Sequence, residues 1–237
     1  MANNFDYNFY LMLSEKNQKY LFILAFVILG IALMQIPFTA LVGAKARFTM
    51  FDFFGPIVGG FLGSVTGLVT VLTMQLANWA WHGFAVDSAT IIRFFPMLAA
   101  VLYFSKKSKF ILAIPVVAML AFWIHPEGRQ AWPFALYWLI PIAADLWRDK
   151  LVFARALGAT FTAHAVGGAL WIWAFNMKAA IWMSLIPVVW KERGLMALGM
   201  TLAFTLFNVV FSFSVKKGWL KLSFLKLKTA SVSHNQQ

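Results

Sequence analysis

Arg93 and His164 are the residues whose placement most asks for a chemical role, because each stands inside an apolar run. A charged or ionisable group there is expensive, so it marks either a binding function or a dedicated partner. Arg93 lies one turn before Pro96. Its guanidinium fork suits a carboxylate or another anionic group, and it could equally snorkel to an interface or pair with Asp87 or Asp52. His164 shares a helical face with Gly168 (or Gly167), Trp171 and Phe175 by three-to-four spacing. That pattern describes either a His bonded to a neighbouring helix with Trp171 as packing, or a small-molecule pocket. In the pocket reading His164 donates a hydrogen bond, the glycine leaves room, and Trp171 walls a flat ring. Asn78, Asn176 and Asn208 are weaker candidates of the same kind.

Catalytic patterns are scarce. Gly63-Ser64-Val65-Thr66-Gly67 is not a nucleophile elbow, since Ser64 directly follows the first Gly, and neither H-E-x-x-H nor a Walker loop occurs. The chain holds only 8 acidic residues and no Cys. Clustered carboxylates for a metal site and thiolate chemistry are therefore both missing. Asp145, near the end of an apolar run, faces Arg148 or Arg93 as its basic partner. No enzyme activity, cofactor or metal is expected.

The elements that must position these residues are apolar helices. Hydrophobic residues make up 62% of the 237 and charged ones only 12%, against about 25% charged in soluble domains. Runs long or nearly long enough to span a bilayer, about 17–25 residues, fall at 20–43, 53–79, 88–104, 110–124, 133–147, 151–175 and 195–215. Pro96, Pro115 and Pro141 bend the shorter ones. A further piece, 179–189, is stopped by Pro187 and reads as a half-buried or surface helix. Gly55, Gly59, Gly63 and Gly67 recur every fourth residue at the head of the second run. On one helix they share a face and let another backbone approach closely, a recognised interface in lipid. The fold class expected is all-α, a polytopic membrane bundle of six or seven spans. A segment at 1–19 with interfacial aromatics precedes the helical domain at 20–215, and a basic tail follows at 216–237.

The net charge of +12 comes from Lys and Arg in short loops, which is a topology signal and argues against nucleic acid as a partner. Counting those loops favours seven spans with the C-terminus in the cytoplasm and the N-terminus outside, which would put Lys45, Arg47 and the Lys106–Lys109 loop inside and Lys16, Lys19, Lys191 and Arg193 outside. The lysines and Trp219 of the tail read as an anchor against anionic headgroups, or as a docking element for a cytoplasmic partner.

Two stretches carry a family likeness. One is Ile36-Pro37-Phe38, then Phe48-Thr49-Met50-Phe51-Asp52-Phe53-Phe54-Gly55-Pro56 and the glycine ladder. The other is Ala163-His164-Ala165-Val166-Gly167-Gly168, then Leu185-Ile186-Pro187-Val188-Val189 and Glu192-Arg193 before a last helix. Both resemble the substrate-binding S component of energy-coupling factor (ECF) vitamin transporters. The resemblance implies a small helix bundle whose first loop lids the site, which brings Phe48 and Asp52 to the substrate beside Arg93, His164, Trp171 and Asn208. It also implies six spans with both ends in the cytoplasm, and transfer of a vitamin-like solute to a transmembrane coupling subunit driven by ATPases. The family's A-x-x-x-A docking signature has its spacing here only at Ala40 and Ala44. The function expected is binding and transport of a small organic solute in a prokaryotic cytoplasmic membrane. The alternatives are a scaffold or assembly protein of the cell envelope and, further off, a membrane enzyme using His164 or His125.

Overall fold

The computed structural model describes residues 15–40, 47–220 and 222–225. Among these the chain is all-α apart from one small antiparallel hairpin. Helix α1 (Glu15–Met34) leads into the hairpin strands β1 (Pro37–Ala40) and β2 (Arg47–Thr49), then α2 (Phe51–Leu62), α3 (Ser64–Trp81), α4 (Ser88–Ser105) and α5 (Lys109–Ile124). Short pieces follow: α6 (Pro126–Gln130), α7 (Trp132–Ala135), a 3-10 turn (Leu136–Leu139) and α8 (Ile140–Asp145). The long α9 (Val152–Phe175) and α10 (Ala179–Lys216) close the bundle. Lys16–Met34, Ser88–Ser105 and Ala179–Lys216 are each long and apolar enough to cross a membrane.

The expected second span is two helices. Gly63 turns between α2 and α3 at φ 81°, a conformation that glycine adopts without the penalty a Cβ would bring. The helices fold back so tightly that a Cβ on Gly67 would stand 2.7 Å from the Gly59 Cα. On its other side Gly59 meets the α4 backbone, where a Cβ would lie 2.7 Å from the Val101 carbonyl oxygen. The ladder is thus not a stripe on one helix. Gly63 is the turn, Gly59 and Gly67 are the closest approach, and Gly55 makes room for Met97.

Three further expectations are corrected. Pro187 does not stop a helix but lies inside α10, which runs 38 residues without interruption. A proline removes one backbone hydrogen bond, a loss that neighbouring packing can absorb. The run at 133–147 is no single helix but the broken series α7, 3-10 turn and α8. The first run ends at Met34, beyond which Pro37 opens a strand. Ala44 and the tail beyond Leu225 lie outside the described residues, as do positions 1–14.

Helix directions follow from which residues meet. Gly30 packs on Met74 and Gln35 bonds Asn78, so α1 and α3 run the same way. Gly55 on Met97 and Gly59 on Val101 make α2 and α4 parallel to each other, opposite in sense to α3, whose Ser64 hydroxyl meets that of Ser105 at 2.8 Å. The Phe22 ring near the start of α1 touches Phe211 near the end of α10, with centroids 5.3 Å apart. Both ends of the helical domain therefore come together. The charge count had set them on opposite sides, which required an odd number of passes. The described start of the tail folds back on this end too, with Leu222 and Leu225 buried and Phe224 against Phe22.

This end also carries the basic loops. Lys107 lies 3.5 Å from Asp149 and 3.8 Å from Asp145, whose other partner is Arg148, not Arg93. Arg148 is almost fully buried and donates to the Tyr103 carbonyl, while the Tyr103 hydroxyl donates to the Pro141 carbonyl at 2.7 Å. Two apolar clusters fill the bundle. One is phenylalanine-rich between α1, α2, α4 and α10, and the other lies around Phe122, Phe134, Trp138 and Trp182.

Candidate functional site

At the end opposite the basic loops, a cavity of ≈ 670 Å³ opens between α1, α3, α4, α9 and α10 beneath the hairpin. Its roof is held from both sides. The Met50 amide donates to the Ile36 carbonyl at 3.0 Å, the Phe38 ring sits edge-on to Phe53, and the Thr49 amide donates to Asp52 Oδ2 at 2.7 Å. Asp52 thereby ties the hairpin to the first turn of α2, where a carboxylate also meets the favourable end of the helix dipole. It also lines the cavity.

Arg93, His164, Trp171, Phe48 and Asp52, which come from four different elements, all line this one space. Asn208 does not. It lies on α10 beyond the cavity, past Phe204 and its packing on Phe61. Asn78 lines the cavity and accepts from Gln35 Nε2 at 2.8 Å, whereas Asn176 ends α9 in the left-handed conformation.

His164 has a defined hydrogen-bonding state. The buried Trp138 indole donates from Nε1 to His164 Nδ1 at 3.0 Å. An indole N–H only donates, so Nδ1 must be the acceptor and the ring proton belongs on Nε2. Gly168 makes this possible. A Cβ there would stand 2.7 Å from the Trp138 ring, so the glycine gap admits the indole. In the pocket reading this gap was room for a ligand; the Trp138–His164 bond is instead the contact between His164 and a neighbouring segment that the alternative reading offered. Trp171 stacks at an angle on Phe175, 4.6 Å between centroids, and presents the aromatic wall. Trp173 points outward at 55% exposure and donates to the Ala121 carbonyl.

Arg193 was missed as a site residue. Counted from sequence as a loop charge, it sits in the middle of α10, 6% exposed, lining the cavity. Its guanidinium carbon stands 4.7 Å from the Phe48 ring centroid, a cation–π contact that also closes the hairpin over the site. The signal was present in the spacing of Val189, Arg193, Met196 and Met200, which share a helical face once Pro187 is allowed inside a helix. Glu192, Gln35, Gln75, Trp79 and Trp182 also line it and were likewise not singled out as site residues.

Outside the apolar segments, at the rim, Glu127 joins α6 to α10. Lys178 Nζ donates to its Oε1 at 2.9 Å and the Ala179 amide to its Oε2 at 2.8 Å. The Lys178 hydrogen bond, with help from the Ala179 N–H, holds the Glu127 carboxyl below its ordinary range. Among the described residues no cluster of His, Asp and Glu could hold a metal ion. The cavity can enclose a molecule, offer it hydrogen bonds from Arg, His, Gln and Asn, and stack it on aromatic faces. No family model, curated protein or solved structure matches the chain.

Proposed function

We propose that this chain is an integral membrane protein that captures a small, partly aromatic organic solute and passes it to an energy-coupling partner. The cavity carries the proposal. Its volume falls in the ≈ 300–1,000 Å³ range of ligand pockets, and a few polar groups converge on an otherwise apolar and aromatic lining. The hairpin covers it as the lid loop of an ECF S component would, so the likeness and the geometry point the same way.

Membrane insertion is supported by the outer surface as well as by the three long apolar helices. Val65, Phe110, Val117, Leu202 and Leu206 are each more than half exposed, a surface that lipid solvates and water does not. The basic residues support the orientation. Lys16, Lys19, Lys106, Lys107, Arg148 and Lys216 belong to the end away from the cavity, which by the positive-inside rule supports a cytoplasmic location for that end. The cavity then faces the opposite side, and both ends of the helical domain lie inside after an even number of passes. The scaffold alternative loses its main argument, because the glycine ladder is used up in internal packing.

Mass spectrometry of the detergent-purified protein tests this. A retained small molecule, lost from His164→Ala and Trp171→Ala variants that remain folded, is the expected result. A preparation that holds no small molecule but forms a stable complex with other membrane proteins would favour the scaffold.

A further inference from the structure

Arg193 is buried with its Nε–H left without a partner. It is 6% exposed and lines the cavity. The nearest carboxylate oxygen of its ion pair, Glu192 Oε2, stands at 3.7 Å, beyond hydrogen-bond distance, and the buried Nε has no partner at all. Phe48 covers the guanidinium face and offers no acceptor. A guanidinium has five N–H donors, and enclosing it without acceptors carries a heavy desolvation cost. Asp52 adds field from nearby, but its Oδ2 is bonded to the Thr49 amide.

The surroundings specify what would complete it. His164, with its proton directed to Nε2 by Trp138, adds a donor to the same space. Gln75 Oε1 is a buried acceptor without a donor, so the complement also carries an N–H or a water. Phe134, Trp171 and Trp182 supply flat apolar walls. Asp52 and Glu192 on the lining would repel a second negative charge, which favours a singly charged carboxylate over a phosphate.

We infer that the solute is a flat-ring carboxylic acid whose carboxylate is held by Arg193, the residue that sets specificity for an anion at this site. The inference rests on the solute-binding reading above. A carboxylate accepts two parallel N–H bonds from one guanidinium, the strong geometry for this pair, and would supply an acceptor for the buried Nε–H that the folded chain leaves unpaired. Arg93 lines the same cavity and would add positive field without having to contact the acid.

The test equilibrates the detergent-purified full chain with a pool of matched acids and amides and identifies what is retained by mass spectrometry. The pool holds nicotinate and nicotinamide, 4-aminobenzoate and 4-aminobenzamide, indole-3-acetate and indole-3-acetamide. At least one acid should be retained about tenfold or more over its own amide, the scale of losing a charge-assisted hydrogen bond. Arg193→Gln should erase that preference, and Arg193→Lys, which keeps the charge without the fork, should keep part of it. If Arg193→Gln does not fold, the acid–amide comparison on the unmodified chain still decides. Amides retained as well as acids would overturn the role of Arg193 while leaving solute binding intact. Retention of no pool member would overturn the flat-acid class, and solute binding would then stand or fall on the co-purified molecule alone.

Discussion

At the scale of single residues, the site is organised by one relay: Gly168 admits Trp138, and Trp138 sets the tautomer of His164. Under the proposed function, removing the end of that relay should weaken binding of any solute retained on purification. His164→Ala leaves a ligand polar atom unpaired, which costs about 1–3 kcal/mol, or roughly 5- to 150-fold in affinity by titration. Gly168→Ala should act at a distance, because its methyl would collide with the indole. Overpacking of this kind costs about 1–3 kcal/mol, readable as a lower thermal midpoint in detergent. Glu127 gives a pH signature. Its folded carboxyl sits below the ordinary value of 4.5, so the folded state binds fewer protons than the unfolded one above the folded value. The stabilisation is fully present above pH 4.5 and is lost as the pH falls through the depressed folded value. The thermal midpoint should decline across that acidic window, and Glu127→Gln should make the decline shallower. An unchanged slope in the variant would show that the Lys178 contact does not couple to folding.

At the scale of elements, the turn at Gly63 and the contact it creates are the test of the fold. Gly67→Leu would drive a branched side chain into the Gly59 backbone and should lower stability by about 3 kcal/mol or more, at the upper end of overpacking costs. Gly194→Ala is the control. A Cβ there meets nothing within 4 Å, so it should be neutral or stabilising by up to about 1 kcal/mol in a helix interior. Equal thermal midpoints for the two variants would refute the close approach of α2 to α3. The ladder was legible in the sequence as a packing device, but its geometry was not. Spacing by four is the same whether glycines line one helix or flank a reversal, and only the φ of Gly63 separates the cases.

At the scale of the whole molecule, the two ends of the helical domain meet beside the basic loops, and the cavity opens at the other end. Single cysteines can report this directly, since the native chain has none. Lys16→Cys, Lys106→Cys and Lys217→Cys should all be protected from an impermeant thiol reagent added outside intact cells. Val86→Cys, 79% exposed in the loop at the cavity end, should be labelled. Labelling of Lys16→Cys with Lys217→Cys protected would restore an odd number of passes. The charge count put the two ends on opposite sides because it treated 53–79 as one pass, whereas the structure has two helices there. A reversal in the middle of an apolar run changes the sidedness of every loop before it.

The sequence by itself determined the helical class and some of the residues that line the cavity, because hydropathy and the cost of a buried polar group are local properties. Arg93, His164 and Trp171 stood out for that reason. Arg193 did not, because its three-residue charged neighbourhood reads as a loop unless Pro187 is known to lie inside a continuous helix. Which glycine turns, which glycine receives an indole, and which arginine ends up enclosed beneath Phe48 were decided by tertiary structure alone. Each depends on what a distant segment places alongside, and that proximity is not written in the spacing of neighbours along the chain.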